Sequence, residues 1–287
     1  MEAIDEVDSE MTAGKPAGDL SRIQPTGYLL ELSLDWIVLR ASENIHRLLG
    51  ESHVTLIDEP FGKFVHSQAL HDLRNLFSRL SGTTGVGRAY AVRLTDDNKL
   101  VDIAFQLSDG RVLLEAVPSA GCFGECFGSV GGLIAGLAGS RGQALLDAGA
   151  RRMRALTGYD RVTLRCGDDR AESSRGAFSG PADPADLPIY IAGAGGAGVQ
   201  LFPRDAEDTS AHAALMRSPI DADRQKLEDR GIRSMLRVPF TADGRSCEFC
   251  CESKTSRDPN FELHAAAELF AQMFALRLEM DRANGAG

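Results

Sequence analysis

The sequence predicts an α+β protein of two domains, each an antiparallel sheet flanked by helices. The chain has 287 residues, which is length for about two domains. Short β-like runs alternate with helix-like runs in each half. A glycine-rich segment at residues 119–140 separates the two halves and predicts a linker between the domains.

Composition places the chain among ordinary globular proteins, with 43% hydrophobic and 25% charged residues. The formal net charge of -10 argues against a nucleic-acid partner, because binding to a phosphate backbone needs a surplus of Lys and Arg. No run approaches the roughly 20 apolar residues of a bilayer span, so we expect no membrane association and a cytoplasmic location. The six cysteines follow no regular spacing, which favours free thiols in a reducing compartment.

The first domain is expected at residues 20–118, after a flexible acidic tail at residues 1–19 that has few large apolar groups. Its elements follow in order. Strands are predicted at Tyr28–Ser33 and Trp36–Arg40, a helix from the cap candidate Ser42 to Gly50, a helix at His66–Leu80, and strands at Arg88–Leu94, Leu100–Leu107 and Arg111–Val117. Turn clusters between the last three strands predict consecutive hairpins. This order is typical of α+β sensory domains.

The second domain is expected at residues 141–283. Its predicted elements are a helix at Gln143–Leu156, a strand at Asp160–Cys166, strands at Arg233–Thr241 and Arg245–Ser253, and a final helix with Asp258 as cap and Pro259 at its first position. The turn Asp243-Gly244 joins the last two strands as a hairpin. Pro239 within this hairpin must lie at an edge or a bulge, because proline has no N–H for a sheet.

Several ordered segments resemble the PAS and GAF domains of bacterial phytochromes. Those of the first half are Ile23–Gly27, Val38–Asn44 and Leu48–Gly50, and those of the second are Leu156–Val162, Met216–Ser218, Gly231–Met235, Asp243–Arg245 and Phe261–Leu263. The resemblance covers roughly residues 21–282 and implies a tandem PAS-GAF arrangement. It also implies the family's figure-of-eight knot, in which Ile23-Gln24-Pro25 passes through a loop of the GAF domain.

The family binds biliverdin in its GAF domain and attaches it through a cysteine upstream of the Ile-Gln-Pro segment. This chain has no cysteine before Cys122, so attachment in that manner is not expected. The positions that match the family's pocket are Asp186 and Pro188 in the Asp-Leu-Pro element, Asp223 and Ser253 where histidines stand, Gln200 for an arginine and Arg165 for a tyrosine. Because most are substituted, we expect no cofactor. A bilin bound without a covalent bond, or through an internal cysteine, is the alternative.

Two further patterns resemble ligand sites but have simpler structural interpretations. Gly193–Gly198 matches the dinucleotide fingerprint, but the following Val199–Asp205 is short and β-like where the fingerprint requires a helix, so a loop is favoured. Cys247, Cys250 and Cys251 lie on one predicted strand with Cys250 pointing to the other face, so they cannot bind one metal ion and are expected to be buried thiols.

Cys122 and Cys126 lie four residues apart in the glycine-rich segment, which leaves open a thiol-based redox or metal sensor. The sequence contains no Ser-His-Asp order, paired-carboxylate motif, phosphate loop or kinase signature. We therefore expect that the protein is not an enzyme.

The final helix has an unusually wide apolar face. One stripe is Leu269, Met273, Leu276 and Met280, and a second beside it is Ala266, Phe270, Phe274 and Leu278. An interface on the first stripe is predicted, and the alternative is that both stripes cover the protein's own sheet. The sequence thus predicts a phytochrome-like sensory and signalling module that acts as a homodimer or through a partner such as a sensor kinase or a phytochrome.

Overall fold

The computed structural model describes residues 21–80, 85–97, 99–121, 124–180, 187–193, 196–204 and 210–285. Its strands are β1 (Arg22–Ile23), β2 (Tyr28–Leu32), β3 (Val38–Ser42), β4 (Gly87–Arg93), β5 (Leu100–Ser108), β6 (Arg111–Pro118), β7 (Arg161–Cys166), β8 (Asp169–Ser174), β9 (Tyr190–Ile191), β10 (Val199–Phe202), β11 (Ser234–Ala242) and β12 (Arg245–Ser253). Its α-helices are α1 (His46–Leu49), α2 (His53–Leu56), α3 (Ser67–Ser78), α4 (Glu125–Ala135), α5 (Gly142–Thr157), α6 (Asp221–Asp229) and α7 (Phe261–Gly285). The predicted acidic tail lies outside the described residues.

The first sheet has seven strands in the order β1-β10-β3-β2-β6-β5-β4. The hairpins β4-β5 and β5-β6 confirm the predicted consecutive pairing. One face of the sheet packs on α1 to α3 around the buried side chains of Trp36, Phe61 and Phe105. The other face points toward the second domain.

The predicted helix start at Ser42 is wrong. Ser42 is the last residue of β3, where its hydroxyl oxygen accepts the Leu29 N–H at 3.1 Å. Helix α1 begins only at His46 and ends, as predicted, at Gly50, which adopts φ +77°. Pairing of β3 with strands on both sides outweighs the local capping preference of a serine.

The second sheet has five strands in the order β8-β7-β12-β11-β9. The predicted β11-β12 hairpin across Asp243-Gly244 is confirmed. Pro239 lies opposite Glu248 of β12, and on its other side β9 pairs only with Met235 and Leu236. Among the described residues, no strand pairs with Pro239 on that side, which agrees with its missing N–H.

Helices α4, α5 and α7 pack together on one face of the second sheet, where Phe249 lies against Phe270 and Phe274. The segment predicted as a linker thus contains a helix, α4, despite its glycines. Val130 on α4 and Leu137 just after it are almost fully buried, and this tertiary burial offsets the poor helix propensity of glycine.

The final helix begins later than predicted. Asn260 caps it, since its side-chain oxygen accepts the Leu263 N–H at 2.8 Å. Asp258 and Pro259 precede the helix, and the Asp258 carbonyl accepts the Tyr190 hydroxyl. A cap at Asp258 is therefore wrong by two residues.

The amino-terminal segment is clasped by one loop of the second domain. Ile23 pairs with Val199 of β10 on one side and bridges to Arg217 on the other. The Gln24 N–H donates to the Met216 carbonyl at 2.7 Å, and its side chain donates to the Tyr190 carbonyl at 2.6 Å. The segment is thus bonded on both flanks by the second domain, and the figure-of-eight knot stays a prediction.

The cysteines are arranged differently from the expected set of free thiols. Cys166 and Cys247 are cross-strand partners on β7 and β12 and are joined by a disulfide. Cys250 and Cys251 are buried thiols, as predicted. Within the described ranges no helix has the length and apolar character to cross a bilayer.

Candidate functional site on the second sheet

Side chains of β7, β11 and β12 alternate between two very different surroundings. The face toward α5 and α7 is apolar and includes Leu164, Phe249 and Val238. The opposite face carries charged residues on all three strands. They are Arg161 and Arg165 on β7, Glu248 and Glu252 on β12, and Arg237 on β11. We call these charged residues, with Arg230, the ionic ladder.

The upper half of the ionic ladder is a triad in which Arg161 and Glu252 are buried and Arg230 is partly exposed. Arg161 Nε donates to Glu252 Oε2 at 2.6 Å, and Arg230 Nη2 donates to Glu252 Oε1, also at 2.6 Å. The exposed fraction is 2% for Arg161 and 0% for Glu252. Both carboxylate oxygens therefore hold a guanidinium in a dry setting, where charge-assisted bonds are strong.

The lower half repeats the pattern closer to solvent. Arg165 Nη2 lies 3.1 Å from Glu248 Oε2, and Arg237 Nε lies 2.8 Å from Glu248 Oε1. Arg237 also donates to the Leu187 carbonyl. Each glutamate of β12 thus binds two arginines that come from different elements.

An apolar cap lies on the same face of the sheet. It consists of Leu187, Ile191, Leu227, Ile232, Met235 and Cys250, with Phe178 packed against them. The Arg161 guanidinium lies 4.7 Å from the centre of the Phe178 ring. Burial raises the pKa of Cys250 well above its ordinary value, which keeps this thiol protonated.

Two of the predicted pocket residues lie next to this cap. Pro188 is buried directly after Leu187. Asp223 lies in the first turn of α6, is 5% exposed, and places its Oδ1 3.1 Å from Lys226 Nζ. Leu227 follows Asp223 by one turn and belongs to the cap, so α6 brings Asp223 to its margin. Asp186 lies outside the described residues.

Ser253 and Gln200 have other partners. The Ser253 hydroxyl donates to Asp160 Oδ2 at 2.6 Å, and this bond lowers the pKa of Asp160. Gln200 lies in β10, where its amide donates to Ser21. The positions expected to form one pocket are therefore divided between the margin of the cap, the end of β12 and the contacts of β10 and residues 214–217 with the amino-terminal segment, which we call the clasp.

Sequence reasoning missed the ionic ladder, although a signal was present. Arg161-Val-Thr-Leu-Arg165 and Glu248-Phe-Cys-Cys-Glu252 carry opposite charges at the same four-residue spacing, which is an even number and so keeps each pair on one face of its strand. On adjacent strands this spacing places the charges on one face, where they pair across the sheet.

Comparison with a family model and with solved structures shows which known fold this chain has. Residues 19–118 match the family model described as PAS fold. No curated protein matches the chain. The chromophore-binding domain of Stigmatella aurantiaca phytochrome P1 is 23% identical with a TM-score of 0.75, and the match covers 92% of this chain and 98% of that one. The chromophore-binding domain of an unusual bacteriophytochrome from R. palustris is 21% identical with a TM-score of 0.76 over 94% of this chain and 98% of that one. The chain has the fold of a bacteriophytochrome PAS-GAF module.

The PAS-GAF module is shorter than a complete photosensory core. It matches the Stigmatella aurantiaca photosensory core module with 21% identity and a TM-score of 0.77, over 98% of this chain but 62% of that one. In the terms of this fold, the first sheet is the PAS sheet and the second is the GAF sheet. The ionic ladder and the cap lie on the GAF sheet, and β10 is a GAF strand inserted between β1 and β3 of the PAS sheet.

The two apolar stripes of α7 have different surroundings in this PAS-GAF module. Ala266, Phe270, Phe274 and Leu278 are buried against the GAF sheet. The first stripe is open, with exposed fractions of 39% for Leu269, 36% for Met273, 61% for Leu276 and 60% for Met280. The alternative in which both stripes cover the protein's own sheet is therefore wrong.

Proposed function

We propose that this PAS-GAF module is a sensory and signalling unit that does not hold bilin in the family's covalent manner and that acts through dimerisation or a protein partner. The observation that carries the proposal is the Arg161–Glu252–Arg230 triad, built around the buried Arg161–Glu252 pair, with its apolar cap. A flat tetrapyrrole needs an open cavity. Among the described residues, the side chains of the ionic ladder and of the apolar cap occupy this face of the GAF sheet.

The chemistry of the substituted positions supports the same proposal. Residues 1–22, which precede the Ile-Gln-Pro segment, contain no cysteine for a thioether. Asp223 and Ser253 stand where the resemblance expects imidazoles, and each is bonded to another residue of the chain. To admit a bilin on this face, the protein would have to break buried ion pairs, which costs several kcal/mol.

The output side of the proposal rests on α7. Its open stripe of two leucines and two methionines is an exposed apolar surface along one side of the helix. A second copy of the chain, or a signalling partner such as a sensor kinase or a phytochrome, would cover it. The module then acts as a non-enzymatic cytoplasmic component of a signalling pathway.

The test is co-expression with a heme oxygenase that produces biliverdin, followed by an absorption spectrum of the purified protein. We expect no red or far-red band, while a bilin-binding bacteriophytochrome expressed in the same cells serves as the positive control. A band that interconverts under red light would overturn the proposal and favour a bilin photoreceptor, the function that the likeness to chromophore-binding domains supports. Zinc-dependent fluorescence on a denaturing gel would then distinguish a covalent from a non-covalent bilin.

The thiol-based sensor remains a separate hypothesis. Cys122 lies outside the described residues, so the pairing of Cys122 with Cys126 stays a prediction. Mass spectrometry after alkylation under oxidising and reducing conditions would test it, because a redox pair changes its alkylation state and two inert thiols do not.

A further inference from the structure

Glu115 is a buried carboxyl group at the junction of the two domains. It lies on β6 in a cross-strand row with Leu29 of β2, Ala104 of β5 and Arg88 of β4, on the face of the PAS sheet that points toward the GAF domain. Its exposed fraction is 1%.

The Glu115 carboxyl group binds residues 210–217 of the GAF domain, here called the GAF loop, which contact the amino-terminal segment. Oε1 accepts the Leu215 N–H at 2.7 Å, and Oε2 accepts the Met216 N–H at 2.9 Å. The Met216 carbonyl in turn accepts the Gln24 N–H. One carboxyl group of the PAS sheet thus holds the loop at the point where the loop holds the Ile-Gln-Pro segment.

Among the described residues, no cation forms an ion pair with Glu115. Arg88 acts on Glu115 at longer range but binds Glu268 of α7 through both terminal nitrogens, at 2.7 and 3.0 Å. His264 of α7 lies 3.3 Å from Glu268, and burial lowers the pKa of this histidine to about 4, so it stays neutral near pH 7.

Other charged groups on the elements around Glu115 have their own partners. On β2, Glu31 pairs with Arg40 and Arg111. On β5, Asp102 accepts the Ala91 N–H. The GAF loop contributes Arg217 and His212, and burial lowers the pKa of His212 and favours its neutral form.

Burial without an ion pair penalises the charged form of a carboxyl group. Burial accordingly raises the pKa of Glu115 to about 7 from an ordinary 4.5, and the two N–H groups offset only part of this effect. Glu115 therefore changes charge near neutral pH, at a place where the PAS sheet, the GAF loop and the amino-terminal segment meet.

We propose that Glu115 is a proton-binding site that couples the PAS-GAF clasp to pH. The clasp is more stable when the carboxyl group is protonated and opens more readily when it is ionised. The folded state binds the proton more tightly than the unfolded state does, so this stability is fully present below about pH 4.5 and is lost as pH rises through about 7.

The test compares the pH dependence of urea unfolding for the wild type and Glu115→Gln, which keeps the shape and removes the titration. We expect the unfolding equilibrium constant of the wild type to rise about tenfold more than that of the variant between pH 6 and 8. Glu172→Gln, on the exposed face of β8, controls for net charge and should keep the wild-type dependence. Equal pH dependence in wild type and Glu115→Gln would overturn the proposal.

A second measurement needs no variant, should Glu115→Gln fail to fold. Carbon NMR of the wild type follows the Glu115 carboxyl group directly, and hydrogen exchange follows the Leu215 and Met216 amides. The proposal is supported if the carboxyl group titrates near pH 7 and if both amides exchange faster above that pH, after correction for the intrinsic exchange rate. A carboxyl group that titrates near pH 4.5, or amides whose protection does not change, would contradict the proposal.

Discussion

Arg161 and Glu252 face each other across β7 and β12 and form an ion pair from which solvent is almost absent. Arg230 reaches the same carboxylate from the turn after α6. A charge in such a place is tolerated only while its partners remain, because an unpaired buried guanidinium has lost its hydration. This dependence can be measured.

We predict that Glu252→Gln lowers the free energy of unfolding by about 3 to 5 kcal/mol, since it leaves two arginines facing a neutral amide. Glu248→Gln should cost clearly less, because one of its partners, Arg165, is 32% exposed and can reach water. Urea unfolding of both variants at one pH measures the difference. Equal losses would mean that burial does not distinguish the two halves of the ionic ladder.

We predict that Met273→Glu combined with Met280→Glu gives a folded monomer. Both side chains belong to the open stripe, so a carboxylate there remains hydrated in the free protein but is unfavourable in an apolar contact. Sedimentation velocity and far-ultraviolet circular dichroism measure association and folding together. Phe274→Glu is the matched control on the buried stripe, and it should unfold the GAF domain.

A wild type that stays monomeric at high concentration would rule out the homodimer and leave a different partner protein. If the Met273 and Met280 double variant instead remains dimeric, the open stripe is not the interface. Either result is read from the same sedimentation series.

We predict that Gln24→Ala destabilises both domains together by about 3 kcal/mol. The Gln24 side chain bonds the carbonyls of Tyr190 and Arg217 and the N–H of Ala192, and each buried backbone group left unpaired costs roughly 1 to 3 kcal/mol. Thermal unfolding followed by circular dichroism and by fluorescence of the PAS residue Trp36 should shift in parallel.

Two deletions provide the controls for the clasp. Removal of residues 1–27 should destabilise the GAF domain as well as the PAS domain, whereas removal of residues 1–18 should have little effect. Two separate transitions in the full-length chain would contradict a knotted arrangement.

The sequence predicts local features of this fold well and distant ones poorly. Asp243-Gly244 between two β-like runs predicts the β11-β12 hairpin because turn and strands are adjacent in the chain. Nothing near Ser42 reveals that a strand beginning at Val199 will pair with β3 and prevent a helix there. The burial of Val130 that supports α4 likewise depends on contacts outside its own segment.

The candidate site shows the same division. The substitution of two imidazole positions by Asp223 and Ser253 can be read from the residues alone. The partner of Asp223 is Lys226, which is three residues along the same helix and could be expected from the sequence. The partner of Ser253 is Asp160, which lies immediately before another strand and could not be expected from the sequence. The ionic ladder was within reach of the sequence, since its matching four-residue spacing is visible once β7 and β12 are taken as neighbours.

The insertion of β10 beside β3 has a consequence for synthesis of the protein. Leu201 pairs with Ser42 about 160 residues earlier in the chain, so a growing polypeptide exposes an incomplete PAS sheet for on the order of ten seconds at ribosomal speeds of roughly 5 to 20 residues per second. During that interval β3 offers an open edge to any other strand. The first half of the chain therefore depends on the second for the strand that joins β1 to β3.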